Sequence, residues 1–122
     1  MKLKTLFIIN AIVVIINGLG SIVAPNIFIS LFGVTLNTAG ANMMQNGGAW
    51  LVGLGLLAWL VRDEEKSKTR NAIVTAFLIT YSLGLIVAVI GVLIAGFNVL
   101  GWMPVGINAL LALGYAYFLL KN

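Results

Sequence analysis

The sequence predicts an all-α fold: an integral membrane bundle of four transmembrane helices with a short interfacial helix after the first span. The first observation behind it is that hydrophobic residues make up 61% of the 122 residues, whereas charged residues make up 8%. A soluble domain normally carries about a quarter charged residues and needs them to cover its surface. The apolar excess is therefore expected to face lipid. Two further observations are four long apolar runs and an uneven placement of the basic residues.

The apolar runs are close to the length of about 20 residues that a helix needs to cross a bilayer core. They cover Leu3–Ala24, Met43–Val61, Ala72–Ala95 and Val99–Leu120. Because lipid offers no hydrogen-bonding partner to the backbone, each run is expected to be helical. The first run is longer than the apolar region of a secretory signal peptide, so we interpret it as the first span. Residues 1–122 are thus expected to form a single transmembrane domain.

The basic residues predict the orientation of the chain. Lys2 and Lys4 lie at the start of the first run, Lys121 follows the fourth, and the remaining four lie in the segment Arg62–Arg70. With four crossings these three places share one side of the membrane, and the connections on the other side contain no lysine or arginine. The positive-inside rule makes the basic side cytoplasmic. We therefore expect a multi-pass protein of the plasma (inner) membrane with both termini in the cytoplasm.

The segment after the first run predicts a short helix. Pro25 opens an apolar stretch that reaches Phe32, and Gly33 follows it. Proline is favoured at the first position of a helix, and glycine just after the last. The apolar side chains favour a position in the membrane interface.

Small residues in the third run predict a packing face. They recur every three or four residues and therefore share one side of a helix. Such residues let helices approach closely in lipid. The stripe is predicted to pack within the bundle, and a dimer interface is the alternative; its members are Ala76, Thr80, Gly84, Ala88 and Gly91.

Uncharged polar residues in the outer halves of the runs define a candidate ligand site. They are Asn17, Ser21, Gln45, Asn46 and Asn108, with Tyr81 deeper in the membrane. At a rise of about 1.5 Å per residue, the first and last of the amides lie roughly 10 Å below the outer boundary. The hypothesis is a small polar cavity that is open to the outside. The alternative is that these side chains form hydrogen bonds that only hold the bundle together, and the tyrosine is either a packing residue or part of the pocket.

The residue types present argue against several classes of function. There is no cysteine and no histidine, and apart from Lys4 at the start of the first run no Asp, Glu, Lys or Arg lies inside the four runs. Ion pumps and proton-coupled transporters depend on charged groups within the membrane. Enzymes need a titratable group, a metal or a cofactor ligand. We therefore predict a non-enzymatic protein with no catalytic residue, no metal and no cofactor. Its positive charge is explained by topology rather than by binding to nucleic acid.

The layout resembles the small four-span bacterial and archaeal membrane proteins of the DoxX-like superfamily. The resemblance rests on three segments and covers nearly the whole chain. They are Pro25–Gly33 after the first run, Gln45–Ala49 at the start of the second, and the charged Arg62–Arg70. Some members of that superfamily are associated with quinone-linked oxidoreductase complexes, so the resemblance implies an accessory membrane subunit.

Three functional hypotheses follow. The first is an accessory subunit or a binder of a small apolar or lipid-like ligand in the outer cavity. The second is an oligomeric channel or facilitator for a neutral solute or ion, and the third is a purely structural or assembly protein. A path would need polar groups in the inner half, where only Asn10, Thr75 and Tyr115 are available, so the first is favoured. The expected partners are the lipid bilayer and a membrane protein or further copies of the chain.

Overall fold

The computed structural model describes residues 1–121, and the regular structure in that range is entirely helical. The all-α prediction is therefore confirmed. A 3₁₀ turn at Val99–Gly101 precedes the last helix. The helices are α1 (Leu3–Val23), α2 (Pro25–Ser30), α3 (Thr38–Leu60), α4 (Lys68–Ile94) and α5 (Trp102–Lys121).

Three helical segments are long and apolar enough to cross a membrane. They are Leu3–Val23, Lys68–Ile94 and Val99–Lys121, the last of which joins the 3₁₀ turn to α5. The prediction of a transmembrane protein is confirmed to this extent. Helix α3 has 23 residues, but Gln45 and Asn46 make its first half more polar than the other three segments. Its crossing of the membrane stays a prediction.

Two helices begin earlier than the hydrophobic pattern predicts. Helix α3 starts before Met43 because the side-chain oxygen of Asn37 accepts a hydrogen bond from the Gly40 N–H at 2.7 Å. Helix α4 starts before Ala72 because the Ser67 hydroxyl accepts from the Arg70 N–H at 3.1 Å. Each cap satisfies one of the N–H groups that the first helical turn leaves free. Hydrophobicity carries no information about these caps, so the helices extend beyond the apolar runs while the predicted spans stay a prediction.

The short helix predicted after the first run is confirmed as α2, with Pro25 in its first turn. The chain leaves this segment through Gly33, whose φ of 81° lies in the left-handed region that glycine tolerates best. Helix α2 folds back over the end of α1, since a methyl group at position 20 would come within 2.7 Å of the Phe28 ring. Its location in the membrane interface stays a prediction.

The helices form two compact units. The first covers Phe7–Arg62 and contains most of α1 together with α2 and α3. Here α1 and α3 are antiparallel, because Gly55 lies against Ala11 whereas Gly48 lies against Gly18. A methyl group at position 48 would come within 2.6 Å of the Gly18 carbonyl oxygen. The two helices therefore touch through their backbones, as helices in lipid do where glycine occurs.

The second unit combines residues 1–6 with α4 and α5. Helices α4 and α5 are antiparallel, with the Phe77 ring centroid 5.2 Å from that of Tyr115. The N-terminal turn packs against this pair, since a methyl group at position 114 would come within 2.9 Å of the Leu6 side chain. The ammonium group of Lys4 lies 2.7 Å from a carboxylate oxygen of Asp63. The beginning of α1 therefore lies beside the loop that precedes α4.

Candidate functional site

In the first unit, two polar side chains of the predicted site are bonded to the backbone of α1 itself. The Asn17 amide nitrogen donates to the Val13 carbonyl at 2.7 Å. One turn later, the Ser21 hydroxyl donates to the Asn17 carbonyl at 2.9 Å. Both bonds reach back four residues, which is the common way for Ser and Asn to be satisfied inside a helix. These donors are therefore occupied without help from a neighbouring helix.

Gln45 connects the helices of the first unit. Its amide nitrogen donates to the Ile22 carbonyl oxygen at 3.1 Å, from α3 to the last turn of α1. The last four carbonyl groups of a helix have no partner within the helix. Gln45 supplies one of them with a donor, and in doing so it fixes the spacing between α1 and α3.

Two predicted residues, Ser21 and Gln45, lie at the same contact between α1 and α3, and Asn17 lies one turn away along α1. Gly48 also lies at this contact, because a methyl group there would come within 2.9 Å of the Ser21 side chain and 3.0 Å of the Ile22 side chain. We call Asn17, Ser21 and Gln45 the outer amide cluster. Its groups are neutral, Ser21 is buried, and the two amides are half-buried. In each amide the nitrogen donates to a backbone carbonyl. The oxygen is the remaining acceptor and suits a neutral ligand with a hydroxyl or N–H group.

Asn46 is not part of this cluster. Its side chain is exposed, although the neighbouring Gln45 is half-buried and Gly48 is buried. Among residues 1–121, its amide makes no hydrogen bond to another group. In a helix, residues 46 and 48 point to nearly opposite sides. Asn46 therefore lies on the side of α3 that faces away from α1.

Asn108 belongs to the second unit, where it packs between α4 and α5. Its amide nitrogen donates to the Pro104 carbonyl at 2.8 Å, again four residues back. A methyl group at position 84 would collide with the Asn108 side-chain oxygen, so Gly84 leaves the space that this amide fills. The small residue on α4 and the amide on α5 are thus one packing contact.

Tyr81 lies in an aromatic cluster of the second unit, with Phe77 and Tyr115. The two tyrosine rings are stacked, with centroids 6.2 Å apart and planes at 9°. Phe77 lies 6.0 Å from Tyr81, and all three side chains are at least 96% buried. The contacts of Tyr81 with two other buried rings favour its interpretation as a packing residue. The sequence signal for this cluster was the spacing of four between Phe77 and Tyr81, which places both on one face of a helix.

The predicted small-residue stripe of α4 is covered unevenly. Gly84 contacts Asn108, and Gly91 faces Phe97, whose ring would lie 3.0 Å from a methyl group at position 91. Thr80 and Ala88 are half-buried, whereas Ala76 is exposed. The close contacts therefore lie in the second half of the stripe.

The charged residues lie near the ends of the long helices and in the loop between α3 and α4. Within the part of the chain that the structure describes, no three His, Cys, Asp or Glu side chains come together as ligands for a metal ion. The Arg62 guanidinium lies over the Trp59 ring at 3.9 Å, and the Lys121 ammonium lies 5.6 Å from the Tyr117 ring. Aromatic rings with a neighbouring cation are typical of the boundary between lipid and water.

No protein-family model, curated protein or solved structure matches the chain. The DoxX-like resemblance stays a prediction from the layout of the sequence.

Proposed function

We propose that this chain is a four-span protein of the plasma membrane that acts by binding rather than by catalysis. In this proposal both termini are cytoplasmic and the protein serves as an accessory subunit. The outer amide cluster binds a small apolar or lipid-like ligand that carries one hydrogen-bonding group. The observation that carries the proposal is that cluster: neutral, half-buried amides on α1 and α3, whose oxygens accept no hydrogen bond from residues 1–121.

The path of the chain supports the fourth crossing. Helix α1 is apolar and long enough to carry the chain across the membrane. Helix α3 then runs back along α1, with Gly48 against Gly18 and Gly55 against Ala11. A helix of 23 residues is about 34 Å long, which matches the hydrocarbon core of about 30 Å. These contacts favour a crossing by α3 in spite of its polar first half.

The ion pair between Lys4 and Asp63 supports the same topology independently. It joins the start of α1 to the loop after α3 at 2.7 Å. If α1 crosses the membrane, the chain must cross back before Asp63 for the two groups to meet. The basic residues then collect on one side, and the segments 24–42 and 96–98 on the other side contain none. The positive-inside rule assigns the basic side to the cytoplasm.

The topology can be tested by cysteine labelling, because the natural chain has no cysteine. We would express Thr35→Cys, Asn98→Cys and Glu65→Cys separately and treat intact cells with a membrane-impermeant maleimide. The first two variants are expected to react at once, and the third only after the cells are permeabilised. Reaction of Thr35→Cys and Glu65→Cys from the same side would show that α3 does not cross.

The ligand can be tested by native mass spectrometry of protein extracted with its own lipids. Wild-type protein is expected to carry a small apolar adduct. Asn17→Leu, which removes the amide but keeps the same branching and number of side-chain heavy atoms, is expected to lose the adduct. Ile16→Leu is the matched control, because Ile16 lies next to Asn17 but is 63% exposed. An adduct that persists in Asn17→Leu while the melting temperature falls would assign the cluster a purely structural role.

A further inference from the structure

One exposed face of α3 combines an amide, two small residues and a tryptophan. Asn46, Ala49, Trp50 and Gly53 are spaced three and four residues apart, so they lie side by side on the helix. All four are exposed, Trp50 by 76%. The opposite side of α3, with its buried glycine Gly48, packs against α1. We call these four residues the Asn46 face.

Asn46 differs from the other amides that the sequence places in the outer half. Asn17 and Asn108 each donate to a carbonyl four residues back in their own helix. The Asn46 side chain makes no such bond within residues 1–121, and it points outwards. If α3 crosses the membrane as proposed, Asn46 lies about 22 Å from the inner boundary at Val61, inside a core of about 30 Å. An amide without a partner is costly at that depth, so this face is expected to be covered by a group that can hydrogen-bond.

The shape of the face suits a second helix. Ala49 and Gly53 are two small residues separated by three, which is the spacing that allows two helices to cross closely in lipid. A methyl group at position 53 would meet no atom within 4 Å. The backbone of α3 is therefore accessible at Gly53, two turns below the amide.

We propose that the Asn46 face binds a second copy of this chain, so that α3 packs against α3 of the partner copy around a two-fold axis. The proposal rests on the four-span topology proposed above. An amide carries both a donor and an acceptor, so two Asn46 side chains related by two-fold symmetry can satisfy each other. The face carries no charge, and hence a second copy meets no repulsion there. The partner helix fills the open space beside Gly53.

Disulfide cross-linking in native membranes tests the dimer directly. We would oxidise membranes that contain Ala49→Cys or Gly53→Cys and measure the fraction of protein at twice the monomer mass. Both are expected to form a disulfide-linked dimer. Leu83→Cys is the matched control: Leu83 is 59% exposed on α4 and lies 11 residues from the start of its apolar run at Ala72, as Ala49 lies 12 residues from the end of its run at Val61. It is therefore at about the same depth and should cross-link only by chance collision.

The amide is tested in the Ala49→Cys background. Asn46→Leu is expected to lower the cross-linked fraction roughly 3- to 30-fold, the range expected for losing one interhelical amide contact in lipid. Asn46→Gln keeps the donor and the acceptor and is expected to restore the dimer. Asn46→Leu removes an exposed polar group, so its melting temperature should match that of Asn46→Gln at protein concentrations where both are monomeric.

Labelling and cross-linking together distinguish a failure of the dimer proposal from a failure of the four-span topology. If Thr35→Cys and Glu65→Cys label from the same side, α3 does not cross and the four-span proposal fails. If they label from opposite sides but Ala49→Cys cross-links no more than Leu83→Cys, the topology holds and the dimer is overturned. A cross-linked product that is not twice the monomer mass would also overturn it, because the face would then bind a different protein.

Discussion

Adjacent glycines in α3 meet different surroundings. A methyl group at position 48 would lie 2.6 Å from the Gly18 carbonyl oxygen, which no backbone rotation of a packed helix can avoid. A methyl group at position 47 would meet nothing within 4 Å. Gly48 is therefore required by the approach of α1, whereas Gly47 is not required by any contact among the described residues.

This difference predicts opposite effects on stability. Gly48→Ala is expected to lower the free energy of unfolding by about 1–3 kcal/mol, because α1 and α3 must move apart. Gly47→Ala is expected to raise it by up to about 1 kcal/mol, because alanine restricts the unfolded chain and favours the helix. Thermal unfolding of both variants in lipid nanodiscs measures the difference. Equal melting temperatures would contradict the close contact at Gly48.

The aromatic cluster of the second unit gives another prediction for single residues. Phe77 is 1% exposed, and its ring lies 5.2 Å from that of Tyr115. Phe77→Ala is expected to lower the free energy of unfolding by about 3–5 kcal/mol, because it leaves a cavity. Ile79 on the same helix is 55% exposed, so Ile79→Ala should cost less than about 1 kcal/mol. Unfolding with a denaturing detergent compares the two, and similar losses would contradict the buried position of Phe77.

For a whole helix, the cap at the start of α3 decides where the helix begins. The Asn37 side chain accepts from the Gly40 N–H at 2.7 Å. Asn37→Ala is expected to cost about 1 kcal/mol and to speed amide hydrogen exchange in residues 38–41, whereas Asn37→Asp keeps an acceptor and should preserve protection. Exchange that is unchanged in Asn37→Ala would show that α3 starts without help from this side chain.

The helices show which parts of the fold can be predicted from the sequence. The apolar runs predicted α1, α4 and the last helix, since length and hydrophobicity decide them. The extension of α4 to Lys68 was not predicted because it depends on the Ser67 hydroxyl. The hydrophobic pattern of a sequence contains no information about a helix cap. The polar first half of α3 lowers its mean hydropathy below that of the three candidate spans. Its contacts with α1 nevertheless favour a crossing of the membrane.

The sequence predicted which residues belong to the candidate site but not the contacts that they make. The sequence places Asn17 and Gln45 in the outer half but contains no information on which carbonyl each amide meets. That depends on the register between α1 and α3, which Gly18 and Gly48 set by backbone contact. For the same reason, the sequence does not show that Asn46 points away from α1, because this depends on which side of α3 packs against α1.

For the whole molecule, the proposed orientation rests on where the basic residues lie. All three acids and four of the bases lie in the segment 62–70. Lysine and arginine direct orientation, whereas acids contribute little. Replacing all four bases of this segment with glutamine is expected to give a mixture of two orientations. The fraction of Thr35→Cys that labels in intact cells would then fall from nearly complete to partial.

The control for this prediction removes the opposite charge. Glu64→Gln with Glu65→Gln changes the net charge of the loop by a smaller amount and in the other direction, so Thr35→Cys should still label completely. If the acid replacements lower labelling as much as the base replacements do, the positive charge of this segment is not what determines the orientation.

The N-terminal turn has a consequence for the order in which the protein can assemble during synthesis. Leu3 and Leu6 are buried, and Leu6 packs beside Gly114 in the last helix. Residues 1–6 are synthesised before α5, so their packing is complete only after α5 has been made. Until then, α1 and α3 can pair through their glycines, but the start of the chain remains without its final neighbours. A chain that stops before α5 therefore presents an incomplete N-terminal turn to the machinery that recognises unassembled membrane proteins.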